Sequence, residues 1–360
     1  MEDNAAPDTS NFLDWVEIKN FKSIKDLRLD CKRVNIFIGK PNVGKSNILE
    51  ALGLAGEDLF EGRFMNGAIR YRNIRNLFYQ NLPDSWLSLT TNKFLVVISI
   101  EADSGEEYSY SLDRIIKGNN FEINYKEEDL TTKTKEHHYC ILSNNGDISR
   151  KSLELNQVEY QGPIPVIKYD FSNITTFSYS NKTFLLPDGK NLFEIIDRSS
   201  DLKNEFGKLF SEQGLDFVLD RETQSFNIQR KDGYYIYKYD YYTIADTFRR
   251  FMFYIAAVES NKNSVLVLEE PEVHSFPPYT KALAHRIASH DENQYFISTH
   301  SPYLLQTLIS EVDEADLGVY ITYYKDYQTH VRLLTPDELQ EAQDLSIDLF
   351  YNLSRYEPNA

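Results

Sequence analysis

Alternation between apolar and polar residues is the first ordered pattern along the chain. Residues 15–19 (WVEIK) and 24–30 (IKDLRLD) alternate, as strands with one buried face do. Residues 34–38 (VNIFI) are almost wholly apolar, as expected for a strand that is covered on both faces. A glycine-containing turn follows, and the apolar residues of 45–56 (KSNILEALGLAG) then share one face, which predicts a helix.

The pattern of apolar and polar residues changes in the middle of the chain. Between residues 57 and 169, short alternating runs are separated by polar turns rich in Gly, Asn and Asp, which predicts antiparallel strands. Residues 191–214 return to helical spacing, and three short strands are expected between 216 and 240.

Apolar runs of the buried type return towards the other end of the chain. The segments VLVL (265–268) and QYFISTH (294–300) predict two further core strands. An apolar helix is expected over 244–260 and another over 279–289. The tail predicts a hairpin over 318–334, followed by a helix that starts at Thr335-Pro336.

This distribution predicts an α/β protein, because strands of the parallel type lie near both ends and a β-rich insertion separates them. The sequence thus describes one split core that holds an inserted lobe. The expected boundaries are a disordered arm at 1–11, the core at 12–56 and 243–310, an inserted β-rich lobe at 57–190, a helical lid with strands at 191–242, and a C-terminal hairpin and helix at 311–360.

Composition narrows the class of protein. With 41% hydrophobic and 26% charged residues in 360, the chain reads as soluble and globular, and no apolar run approaches the roughly 18 residues that span a membrane. Two cysteines and a polar N-terminus without a secretion signal predict a reducing cytoplasm. The formal net charge of −17 argues against a broad nucleic-acid surface, although basic residues gather at 19–33 and 63–75.

The turn after residue 38 carries the clearest chemical motif, GKPNVGKS. It fits G-x-x-x-x-G-K-[ST], with an apolar strand before it and a helix after it. Its glycines let backbone N–H groups face phosphate oxygens, Lys45 would bridge the β- and γ-phosphates, and the Ser46 hydroxyl would ligate Mg²⁺. The predicted nucleotide-binding residues are Gly39, Lys40, Pro41, Asn42, Val43, Gly44, Lys45, Ser46 and Asn47.

Two adjacent carboxylates, Glu269 and Glu270, end the apolar run VLVL. At the end of a buried strand they should repel each other, so each needs a partner. A nucleotide–Mg²⁺ site provides both partners: we assign Glu269 to the metal and Glu270 to orienting or deprotonating the attacking water. Two surface glutamates before a turn are the structural alternative.

A histidine follows the next core strand. His300 in STHSPYLL lies just past residues 294–298, so the order of strands predicts that it sits beside the same phosphates. It would hydrogen-bond the γ-phosphate or the attacking water. A polar capping residue at a strand end is the alternative interpretation.

The order of these motifs resembles the ABC-type ATPase superfamily, and more narrowly its OLD/RecF/SMC-like branch. The segment IKNFKSIKDLRLD before the P-loop and STHSPYLL near the end carry the resemblance, which covers about 12–55 and 242–308. It implies an ABC-type P-loop ATPase head with a split core sheet, an antiparallel β subdomain and an inserted β-rich and helical lobe. It also implies ATP and Mg²⁺ as cofactors and hydrolysis of ATP.

The chain departs from this branch at the metal side. Glu269 stands where the branch usually has Asp, and one added methylene moves the carboxylate by roughly 1.5 Å. Mg²⁺ demands near-octahedral geometry, so its contact with Glu269 would be more direct or turnover slower. In the family a glutamine before the insertion senses the metal; Gln80 is the candidate, with a surface glutamine as the alternative.

A second departure is the missing Ser-Gly signature, whose place is taken by TIADTFRR at 243–250. In the family this segment reaches across a dimer to the other subunit's γ-phosphate. Here Asp246, Thr247 and Arg249 or Arg250 are the candidates, and helix capping by Asp246 with exposed arginines is the alternative. Coiled-coil arms and a following nuclease domain are also absent from the sequence, with 224 positions (269 − 45) between Lys45 and Glu269.

The resemblance implies a switch that dimerises head to tail around two ATP–Mg²⁺, as a homodimer or a higher homo-oligomer, and opens on hydrolysis. A lone ATPase of this kind is similar to the ATPase subunit of PARIS-type anti-phage systems, which implies a separate effector such as a nuclease or toxin. A RecF-like DNA repair ATPase and a nucleotide-gated scaffold with negligible turnover are the alternatives.

Two weaker patterns receive structural interpretations. HHYC at 137–140 lacks the second ligand pair that zinc requires, so an alternating strand is favoured over a metal site. The basic side chains of Arg70, Arg72 and Arg75 could contact nucleic acid or a partner, but a solvated face is favoured.

Overall fold

An antiparallel sheet occupies much of the first half of the chain. The computed structural model describes residues 6–56, 64–65, 68–103, 108–117, 134–152, 166–174, 176–345 and 347–358. The strands of this sheet are β1 (Trp15–Phe21), β2 (Ile24–Asp30), β4 (Leu87–Thr91), β5 (Phe94–Asp103), β6 (Tyr108–Lys117), β7 (Thr134–Ser143) and β8 (Ile148–Ser152). They pair in the order β2–β1–β4–β5–β6–β7–β8.

The core sheet draws its strands from distant parts of the chain. It consists of β3 (Val34–Ile38), β9 (Val166–Tyr169), β13 (Val265–Glu269), β14 (Gln294–Ser298), β15 (Leu317–Lys325) and β16 (Gln328–Leu333). The order is β16–β15–β3–β14–β13–β9. Every neighbouring pair is parallel except β15–β16, so the carboxyl ends of β3, β13 and β14 lie along one edge.

A small sheet and a set of helices complete the described fold. The small sheet contains β10 (Asp216–Asp220), β11 (Ser225–Asp232) and β12 (Tyr235–Asp240). The helices are α1 (Lys45–Gly53), α2 (Leu192–Arg198), α3 (Ser200–Ser211), α4 (Asp246–Ser260), α5 (Pro277–Ser289), α6 (Pro302–Glu311), α7 (Pro336–Asp344) and α8 (Leu353–Tyr356). None of the helices in the described ranges is long and apolar enough to cross a membrane.

Apolar packing covers the core sheet on both faces. Side chains of β13 alternate between two clusters: Leu266 and Leu268 pack on the face that α4 and α5 cover, whereas Val265 and Val267 pack towards α1 and the antiparallel sheet. Alternation of this kind follows from the two-residue period of a strand, and burial of both faces explains why VLVL contains no polar residue. The predicted α/β class with a split core sheet and an antiparallel subdomain is confirmed.

Two expectations about the domain boundaries need correction. β9 lies within the segment expected as an inserted lobe (57–190), yet it pairs with β13 at the edge of the core sheet. β15, expected in a separate C-terminal hairpin, pairs along the whole of β3. Local alternation reports which faces of a strand are buried, but it does not report which strand is the neighbour.

Asp8 and Asn11, within the expected disordered arm, make hydrogen bonds to the rest of the chain. Residues 1–5 of the expected disordered arm lie outside the described part of the chain. Asn11 instead donates two hydrogen bonds of 3.0 Å to Asn263, from its backbone N–H to the side-chain oxygen and from its side-chain amide to the backbone carbonyl, and the Asn263 amide donates to Asp8 at 2.6 Å. These contacts hold the segment before β1 against the turn that precedes β13.

Candidate functional site

The GKPNVGKS loop joins the buried strand β3 to helix α1. Gly44 precedes the helix with a φ of 102° and Asn42 has a φ of 61°, so the chain turns tightly at both positions. A Cβ atom on Gly44 would lie 2.0 Å from the Thr329 hydroxyl oxygen, which explains why this position requires glycine. The loop thus presents the N-terminus of α1 at the carboxyl edge of the core sheet, where a helix favours anions.

Lys45 is a buried cation that is held by carbonyl groups. Its side chain is only 6% exposed, and its Nζ donates to the carbonyl oxygens of Gly39 at 2.9 Å and Lys40 at 3.0 Å. Burial lowers the pKa of Lys45, while the charge of Glu270 opposes that shift. Carbonyl dipoles do not neutralise an ammonium group, so the loop fits a bound phosphate that would supply the negative charge.

Glu269 ends β13 beside the start of α1. The Ser46 hydroxyl hydrogen-bonds its carboxylate, Lys168 Nζ lies 3.2 Å from one oxygen, and Arg70 Nη2 lies 3.3 Å from the other. Burial alone would raise the pKa of Glu269, but these three partners outweigh it and hold the pKa below its usual range. A charged carboxylate in contact with a hydroxyl is the type of oxygen donor set that Mg²⁺ prefers, so these residues fit the metal.

Charged side chains continue from Glu269 into an adjacent cavity. Arg70 Nε lies 2.6 Å from Glu50, a buried acid on α1 that also pairs with Lys22. The cavity has a volume of about 270 Å³, and its lining comprises Glu50, Ala68, Arg70, Lys168, Asp170, Phe171, Arg250, Tyr254, Glu269, Glu270 and Val273. Neither Lys168 nor Glu50 was predicted: Lys168 lies in a strand with no motif around it, and Glu50 lies on α1 beyond the last residue of GKPNVGKS.

The structure brings Glu270 and His300 together. The His300 Nε2 atom lies 3.5 Å from a Glu270 oxygen, and both side chains are partly exposed. Glu270 has a φ of 43°, in the left-handed region that costs a non-glycine residue about 1–3 kcal/mol. Burial and the charge of Lys45 lower the pKa of His300, whereas Glu270 opposes the shift. A lowered pKa favours the neutral imidazole, in which one ring nitrogen donates a hydrogen bond and the other accepts one.

Glu272 supports this arrangement and was missed by the sequence analysis. One of its oxygens accepts hydrogen bonds from the Thr299 hydroxyl at 2.7 Å and from the His300 backbone N–H at 2.8 Å. Burial raises the pKa of Glu272 despite these two bonds. Glu272 is two residues after Glu270 in the sequence, and this closeness to the predicted carboxylates was a signal for such a role.

Asp246 and Thr247 open α4 and contact the turn that follows β13. Asp246 accepts from Arg250 Nε at 2.8 Å and lies 3.1 Å from the His274 ring, while the Thr247 hydroxyl donates to the His274 carbonyl at 2.6 Å. Arg249 is the second arginine on Asp246, at 3.3 Å. These contacts fix the start of α4 against the turn. They do not place Asp246 or Thr247 on the P-loop of the same chain.

The prediction for Gln80 is not supported by its contacts. Gln80 lies in a single 3-10 turn with an exposed side chain, and its amide donates to the Tyr79 hydroxyl at 3.3 Å. It is not among the residues that line the cavity at Glu269. The basic segment 63–75 provides a neighbour for Glu269 instead, because Arg70 reaches back towards α1.

The HHYC segment lies on β7, as the alternating pattern predicts. Cys140 is buried in the sheet, whereas the side chains of His137 and His138 lie outside the described residues. Among the described side chains, no group of three or more His, Cys, Asp or Glu is arranged to hold a metal ion.

Comparison with known proteins identifies a matching family and a curated relative. The family model described as "AAA domain, putative AbiEii toxin, Type IV TA system" matches residues 34–306. "Uncharacterized protein MJECL10" of Methanocaldococcus jannaschii is 36% identical over 94 residues, which are 23% of this chain and 42% of that protein. The chain therefore spans less than half the length of the curated relative that it matches.

The chain is also similar to solved structures of Smc heads. An Smc head bound to the C-winged helix domain of ScpA has a TM-score of 0.47 at 14% identity, covering 92% of this chain and 99% of that one. A Pyrococcus furiosus Smc head bound to the C-terminal domain of ScpA has a TM-score of 0.47 at 12% identity (94% and 100%). The Thermotoga maritima SMC head has 0.40 at 12% (90% and 99%). At these values, neither their activity nor their partners transfer to this chain.

Proposed function

The chain belongs to the AAA domain family whose model it matches over residues 34–306, and on this premise we propose that it is an ATP-binding and ATP-hydrolysing switch. The observation that carries the proposal is that three groups of contacts lie at the same edge of the core sheet. Lys45 lies among loop carbonyls, Ser46 contacts Glu269, and Glu270 faces His300.

The P-loop would bind the phosphates of ATP. Backbone N–H groups of 39–47 and the Lys45 ammonium would contact the β- and γ-phosphates, since the ammonium donates to two loop carbonyls, which do not neutralise its charge. Ser46 and Glu269 would hold Mg²⁺, which, when bound, neutralises phosphate charge. Lys168 and Arg70 keep Glu269 ionised and oriented for that role.

Glu270 would act as the general base. Its carboxylate is partly exposed at the end of β13, where it can accept a proton from a water molecule. His300, neutral because of burial and the nearby Lys45, would hydrogen-bond the same water or the γ-phosphate. Glu272 would keep the His300 backbone in place through the 2.8 Å bond to its N–H.

We further propose that a second copy of the chain completes the site. The first turn of α4 carries Asp246 and Thr247, and both are fixed to the turn after Glu270 rather than to the P-loop of their own chain. A head-to-tail dimer would place this turn against the γ-phosphate bound by the partner. Hydrolysis would then release the contact and open the dimer, which gives a conformational switch.

The switch would control a separate effector, a nuclease or toxin, in bacterial anti-phage defence of the PARIS type. Support comes from the family description, which names a toxin of a type IV system. Deletion of the gene from a strain that carries it and its neighbours should raise phage plating. Equal plating with and without the gene would contradict the defence role.

The Glu270→Gln variant tests the ATPase proposal. It should lose steady-state ATP hydrolysis while it binds ATP–Mg²⁺ with unchanged affinity, because glutamine keeps the shape but cannot accept the proton. Glu292→Gln, on the surface turn before β14, is the matched control and should hydrolyse ATP like the unmodified protein. Hydrolysis by Glu270→Gln at the control rate would remove Glu270 from the role of base.

Lys45→Ala separates binding from chemistry. Its affinity for ATP should fall by at least about tenfold, because an ammonium contact with phosphate is lost. Sedimentation of Glu270→Gln should show a dimer or a higher homo-oligomer with ATP–Mg²⁺ and smaller species without nucleotide. A sedimentation pattern that ATP does not change would contradict the head-to-tail assembly.

A further inference from the structure

The C-terminal hairpin β15–β16 lies beyond the family-matched residues and reaches the P-loop. β15 pairs in parallel with the whole of β3, from Leu317 opposite Val34 to Ile321 opposite Ile38. The loop that follows β3 is therefore flanked by the hairpin on one side. A residue of β16, Thr329, is completely buried at this contact.

Thr329 takes part in a chain of hydrogen bonds that has one possible direction. Its hydroxyl donates to the Val43 carbonyl at 2.8 Å, so it must accept from the Ser23 hydroxyl at 2.6 Å. Ser23 in turn accepts from the Asn47 amide at 2.6 Å. The protons thus point from Asn47 through Ser23 and Thr329 to Val43, and each hydroxyl donates once and accepts once.

This chain fixes the peptide between Val43 and Gly44. In a planar trans peptide the C=O and the N–H point in opposite directions. Because the Val43 carbonyl is held towards Thr329, the Gly44 N–H is turned away from the hairpin. Gly44 also packs directly under Thr329, since a Cβ atom there would lie 2.0 Å from the hydroxyl oxygen and 2.8 Å from that of Ser23.

We infer that Thr329 is a positioning residue for nucleotide binding, which sets the orientation of the Gly44 N–H in the P-loop. The inference rests on the proposed ATP-binding function. This role of Thr329 makes the hairpin part of the nucleotide site, although the sequence of the hairpin contains no nucleotide-binding motif. A second contact of the C-terminal segment, Lys40 with Glu357 at 2.8 Å, is largely exposed and should matter little.

The same hairpin provides a matched control. Thr322 on β15 is also completely buried, and its hydroxyl has no hydrogen-bond partner among the described residues. Thr329→Val and Thr322→Val therefore remove the same atom from the same type of site. The two variants differ in whether the removed hydroxyl holds the P-loop.

The experiment measures ATP–Mg²⁺ affinity and steady-state kinetics for Thr329→Val, Thr329→Ser and Thr322→Val. Thr329→Val should bind ATP about tenfold more weakly, with KM raised and kcat nearly unchanged, because Glu270 and His300 are not altered. Thr322→Val should stay within about twofold of the unmodified protein. Thr329→Ser, which keeps the hydroxyl, should recover most of the affinity.

The possible failures are distinguishable. Unmodified protein that does not bind ATP overturns the proposed function itself. Normal affinity in Thr329→Val, or an equal loss in Thr322→Val, overturns only the positioning role. If Thr329→Val does not fold, Ser23→Ala replaces it: a severalfold loss of affinity supports the inference, and unchanged affinity contradicts it.

Discussion

The contribution of the Lys168–Glu269 ion pair to stability can be compared with that of a second ion pair, which has the same N–O distance but is more exposed to solvent. Lys168 Nζ lies 3.2 Å from Glu269, and Lys262 Nζ lies 3.2 Å from Glu292. The side chains of the first pair are 5% and 22% exposed, whereas those of the second are 74% and 40% exposed. If burial decides the strength of an ion pair at fixed distance, the two lysines should differ strongly.

Lys168→Met removes the buried cation and keeps a side chain of similar length. Glu269 then retains Arg70, whose side chain is 67% exposed and well screened. Loss of one partner from a buried pair costs about 3–5 kcal/mol, and partial exposure of Glu269 reduces this to about 2–3 kcal/mol. Lys262→Met should cost about 0–1 kcal/mol, because exposed pairs contribute little.

Urea unfolding at pH 7 without nucleotide measures both differences in the free energy of unfolding. Addition of ATP and Mg²⁺ should reduce the deficit of Lys168→Met, since the proposed metal would restore positive charge beside Glu269. Equal losses in the two variants, or a Lys168→Met protein as stable as the unmodified one, would refute the argument from burial.

Three further predictions concern other parts of the fold. Burial acts to raise the pKa of Glu259, but hydrogen bonds from His290 and Arg286 hold it at about 2, and the pKa of His290 is raised by the same pair. The stability that the ionised Glu259 contributes is present above pH 4.5 and falls towards pH 2. The stability that the charged His290 contributes is lost as pH rises above 6.5. Urea titrations should therefore show the largest loss of unfolding free energy for Glu259→Gln between pH 4.5 and 6.5. Tyr169→Phe should lower the free energy of unfolding by about 1–2 kcal/mol in urea, because its buried hydroxyl donates to the Leu185 carbonyl at 2.7 Å. Gly44→Ala should reduce ATP affinity by at least about tenfold in fluorescence titrations, because its φ of 102° disfavours a side chain.

The sequence predicts most of the secondary structure and the central residues of the candidate site. GKPNVGKS and VLVLEE can be recognised from the sequence alone, because the apolar strand, the glycines and the charged residues are adjacent in the chain. The strand boundaries at 24–30 and 34–38 agree with β2 and β3. These features depend on local burial, which a periodic pattern reports directly.

The residues that support the site could not be predicted in the same way. Lys168 reaches Glu269 from a strand 101 positions earlier (269 − 168), and Thr329 reaches Val43 across 286 positions. Both lie in segments where the pattern shows burial without showing the neighbour. Gln80 was chosen because the resembling family has a metal-sensing glutamine before the insertion, whereas the structure places Arg70 beside Glu269.

The order of strands around β3 also determines when the P-loop strand gains its neighbours during synthesis. Val34 lies opposite Tyr295 on one side and Leu317 on the other, which are 261 (295 − 34) and 283 (317 − 34) positions later. At about 5–20 residues per second, the ribosome needs roughly 15–55 s to produce both partners. During this interval a strand that is apolar except for Asn35 has two unpaired edges, which are sites for non-native strand pairing. The nascent chain therefore depends on its antiparallel sheet, or on chaperones, to cover β3 until the last third of the protein has been made.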